Sequence, residues 1–123
     1  MTFRLIKSLA VVGALFAACM ATVPAMAHAI LEQSQPANGA TIAAGTTAFT
    51  LTFNSRIDQG RSLLTLTAPD QSKQGLKIGV ATAPNLLSTS AALVPGRYVL
   101  HWQVLSVDGH ITRGQFSFTV SGN

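Results

Sequence analysis

The sequence predicts an all-β sandwich for residues 28–123, and three observations predict it. Apolar residues recur with a period of two, turn-forming residues punctuate the chain at short intervals, and no helical pattern longer than one turn is present. "AFTLTF" sets Phe49, Leu51 and Phe53 against Thr50 and Thr52, and "SLLTLTA" follows it. "RYVLHWQVLSV" carries Tyr98, Leu100, Trp102 and Val104 on one parity, and "GQFSFTV" repeats the pattern with Phe116, Phe118 and Val120. Alternation of this kind marks strands with one face buried and one wet. Turn signals separate them at Pro36-Ala37-Asn38-Gly39, Gly45, Pro69-Asp70, Gly75, Pro84-Asn85, Pro95-Gly96 and Asp108-Gly109. Residues 71–92 carry the weakest pattern: "KIGVATAP" reads as a strand, and "NLLSTSAAL" as a strand or a loop.

The segment before this domain has a different character. Arg4 and Lys7 form a short positive head, Ser8 to Cys19 is an apolar run, Pro24 breaks any helix, and Ala25-Met26-Ala27 supplies small residues for cleavage. Residues 1–27 are therefore expected to be a secretory signal peptide. Their apolar core is shorter than the roughly 20 residues that a spanning helix needs. An alternative processing route ends at Cys19, where "LFAAC" resembles a lipoprotein signal with Phe16 in place of the usual leucine. Cleavage after Ala27 makes His28 the first residue, whereas lipid attachment at Cys19 would leave His28 in mid-chain without a free amine.

Composition limits what residues 28–123 do. They form one domain with one modest core. The single Cys and all three Met lie within the first 27 residues, so the remainder has no disulfide and no thiolate or thioether ligand. Arg56, Arg61, Lys73, Lys77, Arg97 and Arg113 stand against Glu32, Asp58, Asp70 and Asp108, a net charge of +2. Such scattered charge with sparse aromatics argues against a nucleic-acid surface.

Three histidines remain: His28, His101 and His110. As a first residue His28 offers two nitrogen donors, its α-amine and its ring Nδ1, which together close a six-membered chelate. Asp108 and His110 are two apart, so in extended backbone they leave one face of the strand, at the end of the Tyr98–Val104 parity. Two imidazoles, an amine and a carboxylate suit square-planar or tetragonal Cu(II), with zinc as another possible occupant. The carboxylate and the missing sulfur both disfavour Cu(I). Each residue also has a plainer reading: His28 as an accident of cleavage, and Asp108-Gly109 as a common hairpin turn. His101 lies on the opposite parity to Trp102 and is expected on the wet face, outside the site. Ile30 occupies the third position, so the amine motif that requires a histidine there is absent.

"HAILEQSQPANGATI" (His28 to Ile42), "LTFN" (Leu51 to Asn54) and "PGRYVLHWQVLSVDGHITRGQFSFTV" (Pro95 to Val120) resemble the opening, second-strand and closing motifs of the CopC family of periplasmic copper-resistance proteins. The resemblance implies an immunoglobulin-like Greek-key β-sandwich of about seven strands, with Cu(II) bound through the residues matching His28, Asp108 and His110. It also implies a periplasmic location and a CopD-like inner-membrane copper transporter as partner. Two departures limit the inheritance. Many members carry a methionine-rich Cu(I) loop, which is missing here, and members often carry a glutamate where this chain reads Asn54-Ser55-Arg56.

The leading expectation is a non-catalytic Cu(II) protein that sequesters copper or delivers it to a membrane partner. One rival is a copper-dependent oxidative enzyme built on an N-terminal histidine chelate; an in-plane carboxylate opposes its cycling through Cu(I). The other is a metal-free adhesion or assembly sandwich. Because the amine and imidazoles bind metal only when deprotonated, affinity for Cu(II) is expected to fall as pH drops through about 6.5, the ordinary imidazole range.

Overall fold

The computed structural model describes residues 28–122; the expected signal peptide, with Arg4, Lys7 and Cys19, lies outside the described residues. Eight strands follow one another: β1 (Leu31–Gln35), β2 (Thr41–Ala43), β3 (Gly45–Phe53), β4 (Ile57–Thr67), β5 (Lys73–Leu76), β6 (Leu86–Leu93), β7 (Gly96–Ser106) and β8 (Ile111–Ser121). They form two sheets, β1-β3-β6 and β2-β8-β7-β4-β5. Every pairing is antiparallel except that of β2 with β8. The chain passes repeatedly from one sheet to the other, as a Greek-key sandwich requires. No helix among the described residues is long and apolar enough to cross a membrane.

The alternating stretches place their apolar parity inward. Phe49, Leu51 and Phe53 of β3 face Tyr98, Leu100, Trp102 and Val104 of β7 and Phe116, Phe118 and Val120 of β8, all buried. Aromatic rings join the layers: Phe49 lies 5.6 Å from Phe118, and Phe53 meets Trp102 edge-on at 5.3 Å and 74°. The second arrangement sets the positive edge of one ring toward the π-face of the other. Tyr98 stacks on Phe118, while its hydroxyl donates to Val94 O at 2.9 Å and accepts from Val94 N at 3.1 Å. That pair of bonds fastens the start of β7 in the manner of a tyrosine corner.

The expectations for residues 71–92 change in detail. The strand in this region is Lys73–Leu76, before "KIGVATAP", and Gly75 lies inside it rather than at a turn. Residues 77–80 run beside β6 instead, with Gly79 N–H donating to Ser88 O at 2.7 Å. "NLLSTSAAL" supplies β6, whose Leu87 is fully buried. The strand count rises to eight because three-residue β2 pairs with β8, an element too short to show a period.

Gly114 faces the interior directly beneath Trp102. A Cβ there would stand 2.3 Å from Trp102 Cζ2, far inside van der Waals contact. Overpacking a filled core costs about 1–3 kcal/mol. Gly114→Ala is therefore expected to lower the free energy of urea unfolding by about that amount, and an unchanged midpoint would contradict the tight seat of the indole.

Candidate metal centre

β7 and β8 pair along their length down to Leu105 opposite Ile111. Ser106 N–H then donates to His110 O at 2.8 Å, and Gly109 N–H donates to Ser106 O at 3.0 Å. This closes a three-residue loop, Val107-Asp108-Gly109, in which Gly109 takes φ +92°. Glycine is suited to that left-handed position, and a hairpin of this length calls for such a residue after the turn. The extended parity therefore stops at buried Ser106, and Asp108 and His110 stand on the hairpin loop rather than on a strand face. The five turn residues Ser106–His110 thus carry two of the three candidate ligands, Asp108 and His110.

The loop folds the two side chains together. His110 Nδ1 and Asp108 Oδ2 are 2.9 Å apart. Asp108 Oδ1 accepts from Ser106 Oγ and, at 3.3 Å, from His110 N–H. Ser106 and then His110 hold the Asp108 carboxyl down at about 2, against an ordinary 3.8. The carboxylate is thus ionised throughout the neutral range. Its protonation opposes the folded arrangement: the contribution to stability is complete above pH 3.8 and fades as pH falls through about 2.

His28 reaches the same rim from the other end of the domain. Its ring meets that of His110 edge-on, with centroids 4.9 Å apart. Three contacts bring it there. Ala29 is fully buried, Ile30 N–H donates to Asn54 Oδ1 at 2.8 Å, and Asn54 N–H donates to Ile30 O at 2.9 Å. The short connection from β3 to β4 then runs to Ile57, which pairs with Ser106 at the end of β7. The segment holding His28 and the loop holding His110 are therefore neighbours by strand order.

Asp108, His110 and His28 are gathered, while His101 sits on β7 opposite Thr65 and Gln115, half-buried on the outward parity. Among the described residues no three His, Cys, Asp or Glu side chains make a metal-binding group by themselves. Were the chain processed to begin at His28, its α-amine would add a nitrogen that side chains do not supply. The Asp108–His110 pair has a separation that neighbouring metal donors could also take. Bonds of about 2.0–2.1 Å at right angles place neighbouring donors about 2.8–3.0 Å apart, and the carboxylate oxygen and ring nitrogen stand at 2.9 Å. In this structure a hydrogen bond joins the two atoms.

A largely antiparallel sandwich that brings two imidazoles and a carboxylate to one rim defines a class of small β-domains with a cluster of ionisable side chains at one end. The chain belongs to the CopC family: residues 31–121 match the CopC domain. It is 31% identical over 120 residues to Protein YobA of Escherichia coli strain K12, covering 93% of this chain and 95% of that protein. It is 31% identical over 123 residues to Copper resistance protein C of Xanthomonas campestris pv. juglandis, covering 93% of this chain and 96% of that one. The crystal structure of CopC from Methylosinus trichosporium OB3b superposes with a TM-score of 0.69 at 30% identity, over 76% of this chain and 94% of that one.

Sequence reasoning did not single out Asn54, Ala29 or Ser106 as site-building residues. Ser106 was within sight, since it ends the even parity that leads to Asp108; Asn54 gave no signal beyond closing the LTFN stretch. Replacing Ser106 by alanine removes the largest cause of the lowered Asp108 pKa. In Ser106→Ala the Asp108 carboxyl is expected to titrate upward from about 2 toward 3.8, read from its side-chain carbon chemical shift.

Proposed function

We propose that this CopC-family protein is a periplasmic Cu(II) carrier whose working form begins at His28. Copper is its cargo. His28 binds through its α-amine and ring Nδ1, His110 through a ring nitrogen, and Asp108 through its carboxylate. The observation that carries this reading is the meeting of the His28 and His110 rings at 4.9 Å beside a carboxylate already hydrogen-bonded to His110. Family membership, and a relative named Copper resistance protein C, support copper as the metal.

The donor chemistry selects the oxidation state. Amine, imidazole and carboxylate are hard or borderline ligands that suit a divalent ion. Residues 28–123 hold no methionine or cysteine, so they have no soft donors for Cu(I). Binding and release without an electron-transfer step follow from this set, and we assign no catalytic reaction. The protein holds copper away from harm or carries it to a CopD-like inner-membrane transporter.

His28→Ala, Asp108→Ala and His110→Ala are each expected to weaken Cu(II) binding about 100-fold or more. That exceeds the 10- to 100-fold effect typical of residues that only support a ligand. His101→Ala is expected to leave the affinity unchanged. Titration read by quenching of Trp102 fluorescence measures all four. Mass analysis of protein recovered from the periplasm should give a chain starting at His28; a different first residue would remove the amine from the donor set.

A further inference from the structure

Resting on the Cu(II) reading above, we infer that Asn54 is a positioning residue that sets copper affinity by holding the His28 chelate in place. The β1–β3 ladder ends with Leu31 opposite Phe53. Beyond it, β3 has ended, and the chain runs through Ser55 and Arg56 into β4 at Ile57. The side chain of Asn54 continues the ladder by one residue: its Oδ1 accepts Ile30 N–H at 2.8 Å, while its own backbone N–H donates to Ile30 O at 2.9 Å. One residue thereby satisfies both main-chain polar groups of Ile30.

Little else restrains this segment. Ile30 is 60% exposed, so its side chain contributes little burial, and the strand starts only at Leu31. Ala29 is buried but carries a single methyl group. A chain end three residues from its last ladder pair frays unless something ties it down. Copper binding to a frayed His28 must also order that end, so fixing it beforehand raises affinity without adding a ligand. The Asn54 side chain has the reach and the acceptor for this, whereas alanine has neither.

The test uses the full chain expressed with its own N-terminal segment and recovered from the periplasm. Asn54→Ala is expected to lower Cu(II) affinity about tenfold, the scale set by losing one hydrogen bond. Its paramagnetic resonance spectrum should split into two components, one lacking the His28 chelate. Asn54→Asp keeps an acceptor oxygen and should return a single component. Asn85 serves as the comparison, since its Nδ2 donates to Phe53 O at 2.9 Å on the side of β3 away from β1. Asn85→Leu should lower the melting temperature and leave the spectrum and affinity as they were. If Asn54→Ala binds like the unaltered protein while His28→Ala does not, the clamp is overturned and the carrier reading stands. If the unaltered protein and His28→Ala bind copper equally, both fall.

Discussion

The pairing of β7 with β8 is the constraint on which the rest of the molecule depends. Inward side chains of these two strands, Tyr98 through Val104 and Phe116 through Val120, supply much of the core. The other sheet completes that core by facing them with Phe49, Leu51 and Phe53. The register of the pair also fixes the loop at its end. Leu105 opposite Ile111 leaves room for one tight turn, and within that turn the carboxylate of Asp108 has His110 as its nearest basic partner. Core and donor cluster are consequences of one set of hydrogen bonds, so the sandwich cannot slip in register without separating the two side chains.

The second constraint joins distant parts of the chain. Ile57 pairs with Ser106, and the connection before Ile57 carries Asn54, which grips Ile30. Strand order, rather than sequence proximity, thus brings His28 to His110. The arrangement gives the cluster two parts, a hydrogen-bonded hairpin loop and an N-terminal segment tethered by Asn54.

Much of the fold was legible because burial imposes a period of two on half-buried strands. Phe49-Leu51-Phe53 and Tyr98-Leu100-Trp102-Val104 announce their inward face directly. β2 and β5 were not legible, being three and four residues long, too short for a period to show. Residue types and spacing pointed to His28, Asp108 and His110, which the structure gathers on one rim. The reason for the closeness of Asp108 and His110 was nevertheless misplaced: a left-handed Gly109 folds them together, where strand parity alone would have spaced them along a face. Asn54 was invisible because a lone polar residue after a strand looks like any loop residue. Its role exists only through Ile30, 24 positions earlier.

His28 and His110 meet although they stand near opposite ends of the described residues. Nothing shorter than the whole domain brings them within reach, since the N-terminal segment needs β3 for its tether and the hairpin is the last element made. A nascent or clipped chain therefore presents only isolated imidazoles to passing ions. Under the proposed carrier role, cargo capture would double as quality control, because only a molecule finished to its final hairpin brings the two rings together.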